Sequence, residues 1–461
     1  MTQQSPGRIK ELKNRIGDVI LHTENFFRVA YGYDATGIRG FCAGVAFPES
    51  ENDLALIVKN AAMLGIPLIP RGAGTGFSGG SVPAQGGIVV STEKMRKVLS
   101  FNRKMDEVEV QSGIVNGSLQ EYLEPLGLFY PPDPASYKVS TIGGNIAENA
   151  GGPRAYKYGV TRRYVVSLKW ITPEGRFLEG EPRGPASLLI GSEGTLGIIY
   201  SARLKVFPIP KIRKTFLLGG GVDGDAMVTA SNLLRSGFRP SVLEFIDSKT
   251  MRCVAEYLDI LPIIENKGDL SYLFLEIEGT DIQTADQQRL LENFCNSKGF
   301  SLITAENYEE RELLWNLRRS ISASLARRGI TKVNEDIALP LGRLSEAVTE
   351  VHKLASDKRL DCYIFGHCGD GNLHVNIMTD RRKKEEMDRA AEFVHDLFSY
   401  VIAAGGTLSG EHGIGTTKRP YLDLAFSETE LRLQNAVKNV IDPSSRLNPG
   451  KYFDNIVCGG A

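Results

Sequence analysis

Leu54, Ile57, Val58, Ala61 and Ala62 recur at i, i+3, i+4, i+7 and i+8, the spacing that puts one apolar face on an amphipathic helix over Ser50 to Leu64. A shorter helix is predicted over Ile9 to Ile16. Strands are predicted over Ile66 to Ile69 and Ile88 to Ser91, on either side of a glycine-dense loop, Arg71 to Gly80, and near Val98 to Phe101 and Val108 to Gln111. That order predicts an α+β domain with mixed sheets. After Phe207-Pro208-Ile209-Pro210 the pattern changes to longer charged helices and alternating strands such as Tyr272 to Glu278. Helices are predicted over Asp286 to Lys298, Glu309 to Arg328, Gly342 to Ser356, Lys384 to Ala404 and Glu428 to Ile441. The chain is therefore divided into residues 1–210 and 211–424, with 425–461 expected to return to the first part.

A length of 461 residues agrees with two cores. The 54 Lys and Arg against 55 Asp and Glu leave a net charge of -1, so no long-range field draws the protein to nucleic acid or membrane. The charge run Arg381 to Glu386 reads as a solvated loop and helix start. Cys42, Cys253, Cys295, Cys362, Cys368 and Cys458 are dispersed and form no C-x-x-C pair, which predicts free thiols in a reducing compartment and no zinc knuckle or iron–sulfur cluster. The first residues, MTQQSPGRIKELKNRIGDVI, do not resemble a signal peptide, and no apolar run reaches the roughly 18 residues of a membrane span. A cytoplasmic location is expected, with peripheral attachment at the inner membrane face through a partner compatible with it.

Between Gly72 and Gly197 lie four segments too rich in glycine, proline and asparagine for element interiors: GAGTGFSGG, YPPDP, STIGGNIAENAGG and GSEGTLG. The first follows a strand and offers many backbone N–H groups clear of side chains, a concave nest suited to a diphosphate. It has no G-x-x-x-x-G-K-[ST] and precedes a strand rather than a helix, which disfavours both a nucleotide triphosphatase and a Rossmann fingerprint. With KYG at Lys157 to Gly159, these segments resemble, in order, the FAD-binding domains of the vanillyl-alcohol-oxidase (PCMH) type. The resemblance implies that Gly72, Gly74, Thr75, Gly76, Ser78 and Gly79 hold the diphosphate. It places Arg71, Pro132, Asp133, Ser140, Thr141, Gly144, Asn145, Gly151, Gly152, Gly159, Glu193, Ile198 and Asn448 around the cofactor. Covalently flavinylated relatives use a histidine or cysteine, and the loop Arg71 to Gly80 has neither, so non-covalent FAD is expected.

Three of the six histidines fall in two compact segments, GHCGDGNLHVN from Gly366 and SGEHGIG from Ser409. Singly, each is most simply a hydrogen-bonded structural residue. As a set, His367 on a glycine turn and His374 on the following strand can converge on one ion, with Glu411 as a hard oxygen ligand and positions left open. Both segments resemble the substrate domain of FAD-linked D-lactate, glycolate and D-2-hydroxyglutarate dehydrogenases, over about residue 210 to Lys451. The resemblance implies metal ligands His367, His374 and Glu411 for zinc, manganese or iron, a base at His412, and a substrate contact at Asn376, on the strand face of His374. It also implies that Arg318 and Ser322 line the pocket; a guanidinium fork suits a carboxylate. Where dicarboxylate-oxidising relatives carry a lysine, this chain has Asn334, with Lys332 two residues earlier, which favours lactate or glycolate. Asp370 and Lys418 are polar neighbours of the motifs, and Cys368 reads as a packed thiol.

The expectation is a vanillyl-alcohol-oxidase/PCMH-type FAD-binding domain plus an α+β substrate (cap) domain with an antiparallel sheet. It would oxidise a D-2-hydroxy acid to the 2-oxo acid. Electrons would pass to an iron–sulfur subunit, an electron-transfer flavoprotein, a quinone or a cytochrome, since this chain has no iron–sulfur or haem motif. A homodimer is compatible with the sequence, and no nucleic-acid partner is expected. The alternatives are a D-2-hydroxyglutarate dehydrogenase, another flavin oxidase of the same fold, and a non-catalytic FAD-carrying subunit of a larger oxidase.

Overall fold

The computed structural model describes residues 6–260 and 270–452. The chain divides into two compact units: Met1–Gly151, Val160–Ile209 and Glu411–Ala461 form one, and Gly152–Gly159 with Pro210–Gly410 form the other. The return to the first unit begins at Glu411 rather than at residue 425, and the segment from Gly152 to Gly159 belongs to the second. The first difference has a visible cause. Thr416 and Thr417 donate their backbone N–H groups to Ser78 O, at 2.8 and 3.2 Å, and Ile414 and Gly415 donate theirs to Glu193.

In the first unit, the helix Glu51–Leu64 opens with a reciprocal capping box between Ser50 and Asp53 and closes on Gly65 at φ 62. Its apolar stripe buries Leu54, Ile57, Val58 and Ala61 to 1 % exposure or less, against Leu12, Ile88 and Val90. Beside it, strands run in the order Leu21–His22, Cys42–Ala46, Gly87–Ser91, Leu68–Arg71; the pairs on Gly87–Ser91 are parallel, so the sheet is mixed. The strand predicted from Ile66 starts at Leu68, since Pro67 has no N–H to donate. A second, antiparallel sheet orders Val98–Asn102, Glu107–Gln111, Ile198–Lys205, Val165–Ile171, Phe177–Gly180.

The second unit is built on a seven-stranded antiparallel sheet in the order Ser301–Thr304, Ile212–Gly219, Tyr272–Gly279, Val242–Ile246, Asp361–His367, Asn372–Thr379, Thr331–Ala338. The strand expected to alternate from Tyr272 is buried on both faces through Ile277, because helices cover both sides of the sheet. One face packs Phe274 and Phe365 against Trp315, Leu317 and Met251. The helix predicted over Glu309 to Arg328 is two, Tyr308–Arg319 and Ile321–Leu325. They part at Ser320, whose N–H is shared between Asn316 O at 2.9 Å and Leu317 O at 3.3 Å. No helix among the described residues is long and apolar enough to cross a membrane. Cys42, Cys253, Cys295, Cys362 and Cys368 are free, buried thiols; Cys458 lies outside the described residues.

Candidate active site

In the first unit the glycine loop opens on a cavity lined by Gly72 to Phe77, Pro134 to Ser136, Ser140, Thr141, Gly144, Asn145, Glu193, Ile198, Glu411 and His412, among others. Two glycines are required by close approach: a Cβ on Gly72 would stand 2.2 Å from Thr141 Oγ1, and one on Gly79, at φ 81, would stand 2.1 Å from Thr416 Oγ1. Thr141 caps the helix Ile142–Glu148, its Oγ1 accepting from Gly144 N at 3.2 Å. Arg71 braces the loop: Nη1 donates to Tyr33 O at 2.7 Å and Ser81 Oγ at 3.1 Å, and the guanidinium covers the Tyr31 ring.

The residues present fit FAD. Ser140 Oγ and Asn145 Nδ2, on the cavity wall, are buried with no hydrogen-bond partner among the described residues. A buried polar atom left unmade is costly, so such a group signals a ligand that satisfies it. No cysteine lines this cavity among the described residues.

Several expected cofactor residues stand back from the wall. Pro132 O accepts from Asn116 Nδ2 at 3.0 Å, and the wall is made by Pro134, the last residue of YPPDP, with Ala135 and Ser136 after it. Ser78 and Gly79 work through their backbone, Ser78 O anchoring the loop after His412. Gly151 stands behind Ala150, which does line the cavity; Gly152 and Gly159 bracket the segment that belongs to the second unit. Asn448 Nδ2 ties Gly80 O at 2.8 Å to Glu193 O at 2.7 Å. Glu411 and His412 line the cavity with the glycine loop, and the His412 ring lies 5.2 Å from that of Phe77.

In the second unit, His367 ends one strand and His374 lies on the next, and their Nε2 atoms face each other at 3.4 Å. Glu244, fully buried, contacts His367 Nδ1 at 2.5 Å through Oε1; Oε2 accepts from Arg318 Nε at 2.6 Å and also from Nη2. Burial pushes the Glu244 carboxyl up, but Arg318 and His367 outweigh it and hold it at about 2. With Glu244 ionised, the proton of a neutral His367 belongs on Nδ1, which leaves the Nε2 lone pair directed at His374. Two imidazole nitrogens held face to face over an ordered acid are a donor set that fits a divalent cation.

Asn376 shares the strand face of His374; its Oδ1 accepts from Asn334 Nδ2 at 2.6 Å. Ser322 Oγ accepts from Lys332 Nζ at 3.1 Å, and burial pushes the Lys332 ammonium down from its ordinary value. Asp336, on the same strand face, accepts from Ser409 Oγ at 3.1 Å and Gly410 N at 2.8 Å, fixing the last residues of the unit. Asp370 Oδ1 caps the turn at Asn372 N, at 3.3 Å, and Cys368 is a packed thiol at 2 % exposure. Lys418, in the first unit, is buried, its N–H on Ile414 O.

Glu244 and Asp336 were not read from the sequence. The available signal for Glu244 was a single acid in an apolar strand, Val242–Ile246; Glu276 is likewise an acid within the apolar run of Tyr272–Gly279, with Glu278 two residues on. A second triad also went unread: His352 Nε2 lies 3.0 Å from Asp223 Oδ2 and 3.4 Å from Asp247 Oδ2. Burial pushes His352 down, but the two carboxylates raise it to about 9.

The mixed and antiparallel sheets with their helices have the fold of the vanillyl-alcohol-oxidase/PCMH-type flavoproteins. The structure of p-cresol methylhydroxylase matches 98 % of this chain, and 97 % of its own, with a TM-score of 0.81 at 15 % identity. Residues 210–452 match the family model of FAD linked oxidases, C-terminal domain, and residues 42–181 match that of the FAD binding domain. Glycolate oxidase subunit GlcD of Bacillus subtilis is 35 % identical over 93 % of this chain and 93 % of its own length. D-2-hydroxyglutarate dehydrogenase of Stutzerimonas stutzeri is 34 % identical over 97 % of this chain and 99 % of its own. D-lactate dehydrogenase of Anaerostipes hadrus is 32 % identical over 88 % and 90 %. The chain belongs to the FAD-linked oxidase family, among the D-lactate, glycolate and D-2-hydroxyglutarate dehydrogenases.

Proposed function

We propose that this protein oxidises a D-2-hydroxy acid, D-lactate or glycolate in the first place, to the 2-oxo acid, with non-covalent FAD and a divalent metal held by His367, His374 and Glu411. Electrons leave to a separate acceptor of the iron–sulfur, electron-transfer-flavoprotein, quinone or cytochrome class. The observation that carries the reading is the pair of facing Nε2 atoms, 3.4 Å apart, with Glu244 ordering one ring. When bound, FAD supplies the two-electron sink and the divalent ion polarises the substrate hydroxyl.

The protein's own groups supply the rest. His412 Nε2 or Nδ1 removes the hydroxyl proton; an imidazole with an ordinary value of about 6.5 is suited to that task near neutrality. Arg318, whose guanidinium is oriented by Glu244, meets the substrate carboxylate, and Asn376 and Ser322 orient the acid by hydrogen bonds. The cation of Lys332 beside Ser322 favours a second reading, a substrate with a further anionic group such as D-2-hydroxyglutarate.

The test is anaerobic mixing of the flavin-loaded protein with D-lactate, L-lactate, glycolate, D-glycerate and D-2-hydroxyglutarate, following bleaching of the visible flavin band. D-lactate or glycolate should bleach it fastest. His412→Ala should slow bleaching by about 10²- to 10⁴-fold. Preference for the dicarboxylate would select the second reading. Flavin that resists every acid would leave an oxidase of other specificity or a carrier subunit.

A further inference from the structure

The loop that carries His412 is held by a carboxylate that the chemistry above does not use. Glu193 is 8 % exposed, and one carboxylate spans two consecutive amides: Oε1 accepts from Ile414 N and Oε2 from Gly415 N, each at 2.7 Å. These amides lie two and three residues past His412. Burial pushes the Glu193 carboxyl up from its ordinary value and the two amides pull against it; two bonds from consecutive amides to one carboxyl fix its direction as well as its place.

The carboxylate is itself held from behind. The Glu193 backbone sits in the left-handed region at φ 53, its N–H donates to Ala147 O at 2.9 Å, and its carbonyl accepts from Asn448 Nδ2 at 2.7 Å. A non-glycine residue in that region is kept there by its surroundings. On the far side the loop is pressed close. A Cβ on Gly413, at φ 84, would stand 2.8 Å from Glu193 Oε1 and 2.7 Å from Glu148 Oε2, and one on Gly415 would stand 2.1 Å from Ser78 O. The turn after His412 is thus fitted between Glu193 and the glycine loop, with no room for a side chain at either glycine.

The family resemblance places Glu193 around the cofactor and it lines the cavity, yet each of its carboxylate oxygens accepts from an amide of the His412 loop. We infer that Glu193 is a positioning residue, whose carboxylate sets the place of the His412 ring at the flavin cavity, rather than a ligand of FAD. The inference rests on reading His412 as the base. A glutamine at 193 keeps the shape but turns one acceptor into a donor, so one amide of the loop faces an NH2 group.

Full-length, FAD-loaded wild type, Glu193→Gln and Glu193→Asp decide it by three readouts. Bound FAD per chain should be unchanged in Glu193→Gln. Amide hydrogen exchange over residues 412–418 should rise by about 10-fold or more. The limiting rate of anaerobic flavin reduction should fall by about 10- to 100-fold, the scale expected of a small misplacement, with half-saturation nearly unchanged and the His412-dependent limb of the pH profile displaced. Glu193→Asp, which keeps the carboxyl group but retracts it, should lie between the two and guards against a glutamine variant that does not fold. Loss of FAD with unchanged exchange would make Glu193 a cofactor ligand and overturn the inference. Unchanged exchange with normal reduction would overturn it also. If no hydroxy acid reduces even the wild type, the proposed function fails, while the exchange readout still decides the role of Glu193.

Discussion

Around the cavity of the first unit, Ser140 Oγ and Asn145 Nδ2 are buried with no partner among the described residues, and the wall includes glycines, such as Gly72, that admit no Cβ. In the second unit two buried acids of the central sheet are already paired: Glu244 with Arg318 and His367, and Glu276 with Arg154 at 2.7 Å, Arg311 at 3.3 Å and the Trp315 indole at 2.9 Å. On the proposed function, the contrast follows from what each binds. A large neutral-to-anionic cofactor is met by amides and hydroxyls left open for it, which cost stability until it arrives. Small charged groups are met by side chains whose own charges must be neutralised inside the protein before any ligand comes.

That comparison is broken most severely at Glu244. Glu244→Leu strands the Arg318 guanidinium in a buried site, and the second unit should lose about 3–5 kcal/mol of stability. With one tryptophan in each unit, Trp170 and Trp315, a Trp170→Phe background lets Trp315 fluorescence report the second unit alone in a urea titration. A loss below 1 kcal/mol would mean that the Glu244 network is not a stabilising pair.

A smaller effect is expected from pH. His352 is raised to about 9 by Asp223 and Asp247, so its contribution to stability is complete below about pH 6.5 and is lost as the pH climbs through 9. The unfolding free energy drawn from the Trp315 signal in urea should fall over that window by an amount on the order of 1–3 kcal/mol, and His352→Ala should flatten the fall. Glu276 works in the opposite direction. Burial pushes it up, but Arg154, Arg311 and Arg213 hold it at about 2, so its contribution is present above about pH 4.5 and is lost as the pH drops through 2.

The smallest effect sharpens the other side of the contrast. Ser140→Ala removes a hydroxyl that has no protein partner, so the FAD-free protein should keep its stability within about 0.5 kcal/mol. Its FAD affinity should fall by about 3- to 10-fold, the value of one hydrogen bond. Isothermal titration with FAD and a melting curve of the FAD-free protein check both; a marked loss of FAD-free stability would place Ser140 with the paired groups.

What was legible in the sequence was local. The helix Glu51–Leu64 could be read because Ser50, Asp53 and the stripe at 54, 57, 58 and 61 lie within one short window. Motif order likewise pointed to the glycine cradle and the two histidines. Long-range pairings were not legible. Nothing near Glu244 in sequence signals Arg318 or His367, and nothing near Glu193 signals the amides of Ile414 and Gly415. The return of the chain at Glu411 was missed for the same reason, since it is set by bonds to Ser78 and Glu193 far earlier in the chain. Asn334 was read as the loss of a lysine, while the fold brings Lys332, two residues earlier on the same strand face, to Ser322.

The account turns on His367 and His374 acting as a metal pair. The direct measurement is the rate at which D-lactate or glycolate bleaches bound flavin, taken before chelation, after it, and after a divalent ion is returned, in wild type and His367→Ala. The account predicts that bleaching is lost on chelation, regained with zinc, manganese or iron in the wild type, and not regained in His367→Ala although its flavin stays bound. Full-speed bleaching after exhaustive chelation would contradict it.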